Sequence, residues 1–356
     1  MISFDRCAPL LFLLLWSSGA IFVKLGLEDA PVSVFLALRA AGAMMALGIG
    51  WFWLVRQGRL ARPSPLPRSV LGRVMITGVL LQVVYQAAYF LALDHHLTPG
   101  VLALILGLQP ILTPVLARET IGKAGYGYLC LGLVGLAVAL WGARDLGAVT
   151  IGGLVFGLAS VLAITVGSIL QKNSTLNPVM SGFYQAVTAT GLFLIVLPFT
   201  ELRLTVTPQF VLSVSWMAIV VSTLAVVLLF RLLEKGSASQ VSVLFYLVPL
   251  VTLSLDYLVF GNTVSWVTAF GALLVVVAVR GFGQERRLRL SRNRQPVSKM
   301  RNNRHLTFGY ILRPDQCGSP RTDPHHHALT ARATPTRSCH TPGPAPPGAT
   351  VPAPSR

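Results

Sequence analysis

Gln82, Tyr85, Gln86 and Tyr89 stand at positions i, i+3, i+4 and i+7. On an α-helix that spacing puts two amides and two phenols on one face. Such a face can hydrogen-bond a polar solute and offer it aromatic surface; it can also hold neighbouring helices together. Gln109-Pro110 and Val248-Pro249 interrupt two apolar runs. A proline removes one backbone donor and frees the carbonyl four residues earlier, so each pair can kink a helix and expose backbone polarity. The two sites read as a matched pair of gating or binding kinks, or as ordinary proline tolerance in a membrane helix. Arg39 and Asp256 are charges set inside apolar runs. Arg39 can snorkel outward, pair with an acid or serve gating; Asp256 can be that acid or take up a proton. Trp16, Tyr184, Gln185 and Tyr246 are further polar or aromatic groups that could line a cavity. No H-E-x-x-H, G-x-S-x-G or P-loop is present. The residues therefore point to binding rather than catalysis, with no cofactor and no metal; Asp94-His95-His96 reads as a solvated loop.

The elements that would carry these residues are long and apolar. Hydrophobic residues make up 53% of the 356-residue chain and charged residues 12%, with a mean hydropathy of +0.67. Ten apolar runs stand out, at about 8–27, 32–55, 74–93, 98–117, 125–142, 150–170, 179–199, 210–233, 240–260 and 264–282. Runs of this length cross a bilayer core of roughly 30 Å as helices that satisfy their own backbones. The fold class is thus an all-α polytopic membrane protein, and lipid is its first partner. The net charge of +17 does not make nucleic acid a partner. Thirteen of the Lys and Arg residues follow Gly283, and most others sit in short loops.

Loop charge gives orientation. Arg56, Arg59, Arg62, Arg68 and Arg73 flank the second loop; Arg118, Lys123, Lys172, Arg231 and Lys235 flank the later even-numbered ones. The odd-numbered loops are poorer in positive charge. Basic loops face the cytoplasm, which puts both termini inside. The four cysteines have neither metal-ligand nor redox spacing. The N-terminal run lacks a cleavage site and reads as a retained first span. Residues 284–356 hold 11 of the 23 prolines and 5 of the 7 histidines, and read as a basic, Pro-rich disordered tail. Arginine outnumbers lysine 24 to 5, which suggests GC-rich coding and an out-of-frame extension as one origin of that tail.

The chain also matches itself. Slid by 139 residues, "TPGVLALILGLQPILT" at 98–113 falls on "SASQVSVLFYLVPLVT" at 237–252, with Pro110 on Pro249 and Thr113 on Thr252. Without a gap, Gly132 meets Gly271 and Gly142 meets Gly281. An offset of 148 puts Gly19, Ile21 and Lys24 on Gly167, Ile169 and Lys172. This predicts repeats at 8–142 and 150–282. Five spans is an odd number, so the two copies would be inverted, as in many secondary transporters with a midplane site.

"LLLWSSGAIFVKLGL", "FLALRAAGA", "LGLQPILTPVLA", "LCLGLVGLAVALWG", "VLFYLVPLVTL" and "FGALLVVVAVRG" resemble the EamA-type transporters of the drug/metabolite transporter superfamily. The resemblance covers about 8–282. It implies a ten-span inner-membrane carrier built from two EamA repeats, with relatives that export amino acids, other small metabolites or toxic compounds. One departure is plain. The family usually carries Gly-Glu after the fourth and ninth spans; here those places read Gly122-Lys123 and Gly261-Asn262. Glu119 lies close by but out of register.

The expectation is a secondary transporter in the inner membrane that exports amino acids or related small molecules by alternating access, with protons as a candidate coupling ion. A non-transporting receptor or scaffold is the alternative. Gly153-x-x-x-Gly157 is a small-residue packing face, within the monomer or between the subunits of a homodimer.

Overall fold

The computed structural model describes residues 4–60, 65–143, 149–260 and 265–306; the side chains of 4–6, 256, 259, 260, 290 and 292–306 lie outside the description. Residues 1–299 form one compact unit. Among the described residues there are ten helices long and apolar enough to cross a membrane. In chain order they are α1 (Cys7–Gly26), α2 (Val32–Arg56), α3 (Arg68–Asp94), α4 (Pro99–Leu116), α5 (Lys123–Gly142), α6 (Ile151–Lys172), α7 (Pro178–Phe199), α8 (Pro208–Lys235), α9 (Ala238–Leu255) and α10 (Trp266–Arg289). They coincide with the ten runs in the sequence to within a few residues at most ends. The largest difference at an N-terminus is in α3, which begins at Arg68 directly after Pro67.

Local chemistry sets the starts. Proline occupies the first turn of α4, α7 and α8, where its missing N–H costs nothing. The side chains of Thr150, Asn177 and Thr207 each accept a hydrogen bond from a first-turn amide of α6, α7 and α8. Ser237 and Gln240 form a reciprocal capping box at the start of α9. Outward-facing side chains are apolar: Ile49, Phe52, Trp141, Val155 and Leu273 remain exposed, as expected of surfaces that meet lipid tails.

Four spans depart from regular α-helix in their interiors. α4 is two pieces, Pro99–Leu106 and Gln109–Leu116, with the break at Gly107-Leu108. α9 passes from α-helix (Ala238–Ser242) through a 3₁₀ segment (Val243–Tyr246) into a second α-helical piece that starts at Leu247. The two breaks lie 139 residues apart, each just ahead of its proline. The second piece of α4 packs against the 3₁₀ segment of α9. In α3, Val79–Val84 is π-helical, and in α8 so is Met217–Ala225. Both wider turns rotate the residues that follow relative to an unbroken α-helix.

A close helix contact joins α5 to α10. A Cβ on Gly135 would come within 2.9 Å of the backbone nitrogen of Val275, and one on Gly271 would fall on the backbone of Ala139. Only glycine permits this approach. Thr268 Oγ1 donates to the Ala139 carbonyl across the same interface.

The last helix does not end at 282 as the sequence reading had it. It runs from Trp266 to Leu306, carrying the first part of the proposed tail. Between Gly283 and Gln295 the chain has no proline and is rich in Glu, Arg and Leu, all good helix formers. Residues 307–356 lie outside the described residues.

Candidate functional site

The chain's buried arginine organises the middle of the bundle. Arg39 is the eighth residue of α2 and 9% exposed. At 1.5 Å per residue it lies about 10 Å in from the end of its helix. Its Nε–H donates to Ser222 Oγ of α8 at 2.6 Å. Gln82 and Gln86 of α3 face the same space, with Gln86 Nε2 donating to Gln82 Oε1 at 3.0 Å. Ala186, Ala189 and Phe193 of α7 close the far wall. The cavity is about 10 Å³, room for about one water. Gln82 and Ser222 lie within the two π-helical stretches. Irregular turns inside membrane helices often mark functional positions, and here both irregular turns carry side chains to Arg39. An arginine at bilayer depth costs about 2.5–3.5 kcal/mol on insertion scales, so a polar cavity and a hydroxyl acceptor are what make the position tolerable.

The stripe expected on α3 is divided. Its glutamines line the cavity with Arg39. Tyr85 and Tyr89 meet edge to face at 6.3 Å and pack on the surrounding apolar clusters. Trp16 of α1 belongs to the same cluster as Tyr85, in an aromatic group with Phe12 and Phe245.

The remaining candidates lie elsewhere. Gln109 is 1% exposed at the break of α4, and its Nε2 has no partner among the described residues. Pro110 is buried beside it. The carbonyls just ahead of the two prolines are each met by a hydroxyl: Thr113 Oγ1 donates to Gln109 O at 2.7 Å, and Ser17 Oγ donates to Val248 O at 3.2 Å. Thus Ser17 ties α1 to the break at Pro249. Tyr246 is fully buried, and its hydroxyl donates to the Leu129 carbonyl of α5 at 2.8 Å. Tyr184 meets Trp51 and Phe183 edge to face between α2 and α7. Gln185 belongs to a buried polar triad: its Nε2 donates to Gln171 Oε1 at 2.7 Å and to Ser181 Oγ at 3.0 Å. Asp256 follows α9 directly, in the helical piece that continues to Phe260, and its side chain lies outside the described residues.

Sequence reasoning passed over Ser222, Gln171 and Ser181. A lone hydroxyl in "MAIVVSTLAVV" is a weak signal. The need of Arg39 for an acceptor was the stronger one.

Polar contacts tie the loops at both ends of the bundle. At the end carrying the basic loops, Glu119 accepts from the backbone N–H of Ala238 at 3.0 Å, which caps α9. Arg286 of α10 lies 3.7 Å from the same carboxylate and also donates to Ser237, while Arg289 donates to the Thr120 carbonyl. A second cavity of about 440 Å³ lies at this end between α1, α8, α9 and α10, with Arg231, Lys235 and Arg287 among its walls. At the opposite end, Asp29 accepts from Thr207 Oγ1 at 2.6 Å and Glu28 from Gln209 Nε2 at 3.0 Å. There the His95 ring lies tilted against Phe156 at 4.8 Å, and its carbonyl accepts from Thr150.

Comparison with known proteins fits this architecture. A search of curated proteins found no match. Among solved structures, 29 chains match. One, a crystal structure of a protein, is 22% identical with a TM-score of 0.64, covering 78% of this chain and 98% of its own. That likeness concerns the fold alone. Residues 151–283 match the model of the EamA-like transporter family. The matched stretch takes in the last five of the ten apolar spans, so the second half of this multi-pass chain is similar to the EamA-like transporters.

Proposed function

We propose that the protein is a secondary transporter of the inner membrane that exports amino acids or related small metabolites by alternating access. Its two halves are inverted repeats, both termini are cytoplasmic, and an ion gradient, protons being the first candidate, drives it. One observation carries this reading: a buried cation with two amides and a hydroxyl in a polar cavity inside an otherwise apolar bundle. A scaffold has no use for so costly a group at that depth. The loops tied at both ends and the water-sized cavity suit an occluded state, from which either end opens in turn. Solute then moves between Arg39, Gln82 and Gln86, with the breaks at Pro110 and Pro249 absorbing the rocking of α4 and α9.

The test is a paired deletion and overexpression screen against amino acids and toxic metabolites. Overexpression is expected to raise tolerance to at least one compound, and deletion to lower it for the same compound. Unchanged tolerance across the panel, with the protein present in the membrane, would contradict export.

A further inference from the structure

We infer that the transported solute carries a carboxylate and that Arg39 is the group that holds it. This rests on the transport reading above and names the chemistry of that same centre. The cavity at Arg39 is walled by α2, α3, α7 and α8. Across these four helices the only acidic residues are Asp94 and Glu234, each at or next to a helix end. Among the described residues, no carboxylate pairs with Arg39; its side chain donates to the neutral Ser222. Asp256 follows α9 in the helical piece that begins at Leu247 and packs on α1; among the described residues no side chain of that piece lines this cavity. The centre is therefore a fixed positive charge surrounded by neutral donors and acceptors.

A ligand entering such a site must bring the negative charge. Guanidinium geometry suits a planar carboxylate, which it can hold through two parallel N–H donors. The Nε bond to Ser222 fixes the side chain and leaves its terminal nitrogens for that purpose. Gln86 and Gln82 supply amide groups for the solute's uncharged polar atoms. A positively charged solute without a carboxylate would meet like charge and no acid. Ala186 and Phe193 give the remaining wall an apolar surface for a side chain. If Arg39 served only to bind α2 to α8 through Ser222, a neutral donor would serve as well, and the charge would have no use.

The test uses the full-length protein purified and reconstituted in liposomes. Counterflow is measured for the common amino acids, each beside its own carboxamide, in wild type, Arg39→Gln and Arg39→Lys. A charge-assisted hydrogen bond is worth about 1.5–3 kcal/mol, so the amide of each transported acid should move about 10- to 100-fold more slowly. Arg39→Gln should slow the acid by a similar factor and narrow the gap between acid and amide. Arg39→Lys, which keeps the charge but not the fork, should fall between. Equal rates for acid and amide in wild type would overturn the assignment and leave transport standing, as would an undiminished acid rate in Arg39→Gln. Movement of neither member of any pair by folded wild-type protein would overturn the amino-acid reading, and this assignment with it. The Arg39→Lys protein guards against a folding defect: if Arg39→Gln is lost from the membrane, the acid-to-amide ratio in Arg39→Lys decides.

Discussion

Two tyrosines, one half-buried and one fully buried, and a buried glutamine illustrate how differently one residue type can be used in this bundle. Tyr85 sits where helix contacts meet the polar centre, whereas the Tyr246 hydroxyl is spent on the Leu129 carbonyl and its ring fills the space left by Gly132. Tyr246→Phe should therefore cost about 0.6–1.7 kcal/mol of stability, the range for hydrogen bonds between membrane helices. Substrate preference should not change; thermal unfolding of the purified protein beside a transport assay checks both. Gln185→Leu is expected to be more damaging, because it takes one hydrogen bond each from Gln171 and Ser181 in a dry interior, at about 1–3 kcal/mol. Residue type alone could not separate these roles. In the sequence Tyr246, Gln185 and Gln82 are equally plausible linings, since what distinguishes them is whether a carbonyl or amide on another helix meets them. Arg39 was legible as a costly charge, and its acceptor was not.

Helices were legible where length and apolarity decide, and illegible where one hydrogen bond shifts register. All ten spans stand out in the sequence because bilayer thickness imposes a minimum apolar length. The breaks in α4 and α9 stand out because Pro110 and Pro249 mark them. The π-helical turns of α3 and α8 have no such mark: no proline or paired glycine lies within Val79–Val84 or Met217–Ala225. The extension of α10 was missed because its charges read as a solvated tail, whereas Arg286 and Arg289 bind the loops after α4 and before α9. Two expectations follow for this element. Truncation after Arg294 should leave transport intact, since those contacts remain. Truncation after Gly283 should lower stability and transport, because it removes the partner of Glu119. Glu119→Ala should cost about 0.5–2 kcal/mol through the lost cap on α9. Equal transport by both truncations would show that the contacts at Arg286 and Arg289 have no role. Pro110→Ala and Pro249→Ala should each slow transport while leaving the amount of folded protein unchanged, which size-exclusion profiles and counterflow together would reveal.

Across the whole molecule, contacts close both ends around a small polar centre. Asp29 with Thr207 and Glu28 with Gln209 hold one end; Glu119, Arg286 and Arg289 hold the other. Alternating access requires that these two sets open in turn and that the cavity at Arg39 be reached from each side. Ala186, a wall of that cavity with no polar role, is the place to test this. The measurement is labelling of Ala186→Cys by a membrane-impermeant thiol reagent, applied from either side of sealed vesicles, in protein whose four native cysteines are replaced by serine. Labelling from both sides, with a cross-link across either end blocking the label from that side alone, is the result that alternating access requires. Labelling from neither side, or from one side whatever is cross-linked, would show a static core and contradict transport through this centre.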